Sequence, residues 1–175
     1  EEAILKPELF KFVGFENTDD WRTKHKNVQQ TVVLPLLREL FDKFNTRALA
    51  HTKTKGEHEV AASLNFYIIH KYKLWRAETD SWDAYTDYIG SLPFGMAKST
   101  LEHDVGEIQK LLLLGITVPN LIKSMATAKG ATKRLVDVPK DKLPEGDINK
   151  AAELLATTDP YESHRTVDDW EGKNQ

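Results

Sequence analysis

Among the residues able to do chemistry, histidines and carboxylates come first, and their spacing is unproductive. His51 and the run Glu57-His58-Glu59 carry ligand-type groups, but no second histidine follows His58 at the spacing of a helical zinc protease. His103 and Glu107 stand one helical turn apart and could supply two ligands, which is too few for a metal site. Asp19-Asp20 and Asp168-Asp169 are sequence neighbours, so on a helix they diverge and cannot act as an acid/base couple. The chain has no cysteine, which removes thiol catalysis, disulfides and cysteine-held zinc. It also lacks a G-x-x-x-x-G-K-[ST] loop, a G-x-G-x-x-G turn and a G-x-S-x-G elbow. The expectation is a non-enzymatic protein with no metal and no cofactor.

A different chemistry is suggested by Ala97, Lys98, Ser99, Thr100 and His103. Small hydroxyl side chains and a cation at the start of a helix can bond phosphate oxygens or base edges. Supporting cations are expected from Lys53 and Lys55 in a polar loop and from Lys71, Lys73 and Arg76 at the end of a helix. Lys129, Lys133 and Arg134 form a second basic group. Each of these lysines could equally be an ordinary solvated side chain.

The elements that must position these residues are helical. Thr18 and Asp19 offer N-cap chemistry for a helix through Trp21, Val28 and Val32, interrupted at Pro35. Leu36, Leu37, Leu40, Phe41 and Phe44 then recur at three- and four-residue spacing. Val60, Leu64, Tyr67, Ile68, Tyr72 and Trp75 share one face of a long helix that would end in Lys71, Lys73 and Arg76. Thr79, Asp80 and Ser81 cap a short helix with Trp82, Tyr85 and Ile89 inward. A turn through Gly90 to Gly95 leads to a helix with Leu101, Val105, Ile108 and Leu112 inward, stopping at Gly115. Two shorter helices are predicted over Val118 to Met125 and Thr132 to Val136, separated at Lys129-Gly130. Asp147 to Leu155 forms another, with Ile148, Ala151, Ala152 and Leu155 inward, and an acidic tail follows from Thr157.

The fold class read from this pattern is all-α, a multi-helix bundle containing a helix-turn-helix-like unit. Its expected organisation is a helical core domain over 1–138, with the helix-turn-helix-like segment at 81–115, and a C-terminal helix with acidic tail over 139–175. Leu74-Trp75, Trp82-x-x-Tyr85, Gly95-Met96-Ala97-Lys98-Ser99-Thr100 and Gly115-Ile116 occur in series. Over about residues 64–138 this order resembles helix-turn-helix DNA-associated proteins of bacteria, plasmids and phages. The resemblance implies a recognition helix beginning near Lys98. Two features depart from it: the turn is longer than the usual three or four residues, and Glu102, Asp104 and Glu107 oppose phosphate on that same helix.

At 175 residues, with 40% hydrophobic and 29% charged side chains, the chain can bury a core without staples. Its charge of −3 is uneven, with 13 Lys+Arg against 10 Asp+Glu in residues 1–76 and 5 against 10 in residues 136–175. A polyanion would be drawn to the front and repelled by the tail. No apolar run approaches the roughly 20 residues needed to span a bilayer, so no membrane role is expected. The start lacks both an initiator Met and a signal pattern, as in a trimmed product, and cytoplasmic residence is the expectation.

Two functions follow as expectations. One is a DNA-binding accessory or regulatory protein of a bacterial or mobile-element system, acting on nucleic acid and most readily on double-stranded DNA. The alternative is a non-enzymatic helical interaction subunit of a larger, potentially nucleoprotein, assembly. In that case Leu5 to Phe15 and Trp170 would contact protein partners.

Overall fold

The computed structural model describes residues 34–51, 57–93 and 95–173. Among these residues all regular structure is helical, as the hydrophobic spacing predicts. Seven α-helices run in the order α1 (Leu34–His51), α2 (Glu57–Lys71), α3 (Trp82–Ser91), α4 (Lys98–Leu113), α5 (Val118–Lys133), α6 (Ile148–Thr157) and α7 (Pro160–Glu171). Short 3-10 turns cover Leu74–Ala77, Arg134–Asp137, Lys140–Lys142 and Pro144–Gly146. The expected helix before Pro35, the Leu5 to Phe15 segment, and Lys53 and Lys55 lie outside the described residues.

The chain divides into two compact units, Glu1–Lys53 with Ala62–Val105, and Thr54–Ala61 with Gly106–Gln175. The anticipated C-terminal segment 139–175 falls inside the second. In the first unit, α1 buries Leu37, Phe41, Phe44 and Ala48, a stripe at helical spacing. Residues 62–69 of α2 are buried all round, including the polar Ser63 and Asn65. This explains why a single apolar face was too simple a description of that helix. Tyr85 of α3 sits at the aromatic centre, with ring centroids 5.9 Å from Phe41, 6.4 Å from Phe66 and 5.6 Å from Trp82. Its hydroxyl donates to Asn45 Oδ1 at 2.7 Å, so the buried phenol is satisfied.

The long helix predicted to run through Trp75 stops earlier. α2 ends at Lys71, Lys73 takes a left-handed backbone (φ 51°), and Leu74–Ala77 turns as a 3-10 helix. Leu74 and Arg76 are buried while Trp75 is only half-buried, the reverse of the predicted face. The left-handed residue rotates the chain between the two helical pieces, and no glycine marks the place.

In the second unit α5 packs along α6 and also meets α7. α5 is one helical stretch rather than two, but Ala128 breaks its geometry (φ −141°, ψ 59°), one residue before the predicted separator. The freed carbonyl of Ala128 accepts from Thr132 Oγ1 at 2.8 Å. Gly115 (φ 96°) ends α4 as expected: its N–H donates to Leu112 O at 3.1 Å and that of Ile116 to Leu111 O at 3.3 Å. The buried stripe of α4 is Leu101, Val105, Ile108 and Leu111, with Leu112 half-buried. Ile148, Ala151, Ala152 and Leu155 of α6 are buried as predicted.

What reads as an acidic tail is largely a helix. Asp159 caps α7 by accepting from Tyr161 N–H at 2.9 Å, Pro160 occupies its first turn, and Gly172 (φ 76°) closes it. Val167 and Ser163 are buried, whereas Trp170, the expected anchor, is half-buried. Arg134 supplies the stronger tie, donating to Asp168 Oδ1 at 2.5 Å and Glu171 Oε2 at 2.9 Å.

Candidate functional site

Two surfaces can be assessed as sites, and the first is the α3-turn-α4 hairpin. Ser81 opens α3 by accepting from Ala84 N–H at 3.0 Å. Gly95 closes the turn, and a Cβ there would lie 1.8 Å from the Ile89 carbonyl oxygen, so only glycine fits without backbone movement. The hairpin is further tied by Lys98, whose ammonium donates to Asp83 Oδ1 at 2.5 Å and Asp87 Oδ1 at 2.9 Å. These hydrogen bonds, Asp83 first, hold the Lys98 ammonium protonated well above its ordinary range. Lys98 is thus a strut between helices, and a phosphate would have to displace two carboxylates to use it.

Ala97, Ser99, Thr100 and His103 are exposed around the start of α4. Of the three acidic residues on this helix, Asp104 is removed from solvent and accepts from Ser63 Oγ at 3.2 Å. Glu102 remains exposed and accepts from Thr86 Oγ1 at 3.5 Å, while Glu107 is half-buried and pairs with Lys110 at 3.3 Å. Lys71 is exposed, with its ammonium 5.2 Å from the Tyr72 ring centre. Lys73 is half-buried, and Arg76 is buried with its guanidinium 5.9 Å from the centre of the Trp75 ring. The cationic helix end expected from Lys71, Lys73 and Arg76 is thereby reduced to one outward lysine. In the second unit Lys129 pairs with Glu59 at 3.5 Å, and Arg134 is engaged by Asp168 and Glu171. Most of the described cations assigned to a phosphate surface are therefore bound to carboxylates or buried.

The second surface lies wholly in the second unit, where α4 ends. A half-open pit of about 560 Å³ is walled by Leu113, Leu114, Leu135, Val136, Leu143 and Ile148. Leu113 is 80% exposed and Leu114 53% exposed, so water faces two leucines at the mouth of an already apolar hollow. The cause is local: four consecutive leucines cannot all face inward on one helix, and the Gly115 turn fixes which of them face out. The leucine run itself is the signal that could have disclosed this surface.

Comparison with protein-family models, with curated proteins and with solved structures finds no match to this chain. Geometry therefore carries the functional reading.

The polar groups in the pit are three. Asp147 caps α6, its carboxylate accepting from Asn149 N–H at 2.8 Å. Asn149 is engaged on both ends of its amide, Oδ1 accepting from Thr117 N–H at 2.9 Å and Asn120 Nδ2 at 3.0 Å, and Nδ2 donating to Gly115 O at 3.1 Å. Lys140 is exposed and makes no ion pair among the described residues. Among these residues no group of three or more His, Cys, Asp or Glu side chains is placed to hold a metal, and no helix is long and apolar enough to cross a membrane.

Proposed function

We propose that this protein is a non-enzymatic helical interaction subunit, and that the surface around Leu113 and Leu114 receives apolar side chains of a protein partner. The observation that carries this reading is the exposure of both leucines beside an apolar pit of about 560 Å³. Leaving two leucine side chains in water forfeits roughly 1.5–3 kcal/mol each relative to burial, which a partner recovers on docking. Helix-in-groove recognition uses such a pit, with anchors spaced i, i+3 or i+4, and i+7. The test is selection of displayed amphipathic helical peptides on the full chain, followed by affinity measurement on Leu114→Glu. Selected peptides are expected to bind that variant at least ten-fold more weakly; equal binding by both proteins contradicts the reading.

DNA-accessory function is the second reading, favoured by the outward Ser99, Thr100 and His103 at the start of the second helix of a helical hairpin. It entails binding to duplex DNA that weakens steeply between about 50 and 200 mM salt. It also entails a further loss in Lys98→Glu. A gel-shift series with both proteins checks it, and the absence of a shifted species at low salt counts against it.

A further inference from the structure

The pit beside Leu114 has a charge preference as well as a shape. Of its three polar side chains, Asp147 is committed to capping α6, and Asn149 is occupied by one backbone carbonyl, one backbone N–H and one side-chain amide. Lys140 is left as the lining group with donors that no described residue takes up. An occupant that fills the apolar walls therefore meets one cation at the edge, and the complementary group is a carboxylate. Leu113 argues for a macromolecular occupant, because it is 80% exposed and extends the apolar surface past the hollow, where a small molecule would leave it wet. A helix lies across both features at once: one apolar side chain enters the pit and its neighbours a turn away cover the leucine ridge.

Resting on the interaction reading above, we infer that the partner segment is an amphipathic helix with an Asp or Glu at the border of its apolar stripe, seated against Lys140. The apolar contacts supply most of the affinity, and the carboxylate sets orientation and choice of partner.

The experiment is a displayed library of amphipathic helices with the positions flanking the stripe randomised, selected in parallel on the wild-type chain, Lys140→Glu and Leu114→Glu. Both changed side chains are exposed, and circular dichroism verifies that each variant is folded. Asp and Glu are expected to be enriched beside the stripe on the wild type, with Lys and Arg taking their place on Lys140→Glu. Individual acidic peptides should bind Lys140→Glu about ten-fold more weakly, a change that salt reduces. Peptides that lose binding on Leu114→Glu but show no acidic preference overturn this inference and leave the interaction reading standing. Failure to recover any Leu114-dependent peptide overturns both. Dodecanoate is titrated calorimetrically beside them, and its saturable binding to the wild type, lost in Lys140→Glu with no peptide recovered, would assign the pit to a small amphipathic anion instead.

Discussion

Gly95 and Gly130 show how differently two glycines can constrain one chain. A methyl at Gly95 meets the Ile89 carbonyl oxygen at 1.8 Å, and that oxygen belongs to the backbone at the end of α3. Gly95→Ala should therefore cost about 2 kcal/mol or more, read as a lowered urea midpoint. At Gly130 the added carbon meets the ring of His164 at 3.0 Å, and that side chain is exposed and able to swing away. Gly130→Ala also gains helix propensity, so its net effect should stay below about 1 kcal/mol. His70 is a third case. Burial, followed by the nearby charge of Lys73, holds its imidazole pKa below the usual 6.5, and its ring packs 4.7 Å from Trp82. A depressed histidine pKa means the unfolded chain takes up the proton first. This contribution to stability is thus whole above pH 6.5 and is lost as pH falls through the lowered folded value. Urea midpoints between pH 8 and 5 should decline along this course in the wild type and much less in His70→Gln.

At the scale of elements, helix ends were the most legible feature and side-chain commitments the least. Gly115 announces the end of α4 because the left-handed backbone there suits a residue without a Cβ, and the structure uses it so. The same chemistry marks α7 as Asp159-Pro160 at one end and Gly172 at the other, although the acidic composition between them suggests a tail. Its low apolar content hides the helix, because two buried side chains, Ser163 and Val167, and the Arg134 clamp hold it in place. The bend at Lys73 had no such marker, since a left-handed lysine leaves no trace in sequence. The clamp has a pH signature. The Arg134 hydrogen bond lowers the Asp168 pKa from 3.8, and those from Lys173 and Arg134 lower that of Glu171 from 4.5. Carboxylates lowered in this way stabilise the fold above their unfolded pKa values and lose that contribution as pH falls through the folded ones. Arg134→Met should flatten the acid limb of stability below about pH 4.5. Hydrogen exchange should also show α7 amides less protected in that variant at neutral pH.

For the whole molecule, the all-helical class followed from hydrophobic spacing, because stripes such as Leu37, Phe41 and Phe44 can be buried together only on a helix. The site was harder to read. Lys98 looked available because its sequence neighbours are Ala97 and Ser99, whereas its partners Asp83 and Asp87 come from α3. Arg76 looked like a surface cation and is buried. Conversely, Leu113 and Leu114 looked like core and face water, an outcome settled by the turn at Gly115 and not by hydrophobicity. These reassignments shift the functional reading from the start of α4 to its end. Backbone amide NMR of the full chain, titrated in separate samples with a selected helical peptide and with duplex DNA, tests that shift most directly. The expected result is peptide-induced shifts at Leu113 to Gly115, Leu135, Val136 and Ile148, with DNA leaving the spectrum unchanged at near-physiological salt. DNA-induced shifts at Ser99, Thr100 and His103, with the residues around the pit unmoved by peptide, would contradict it.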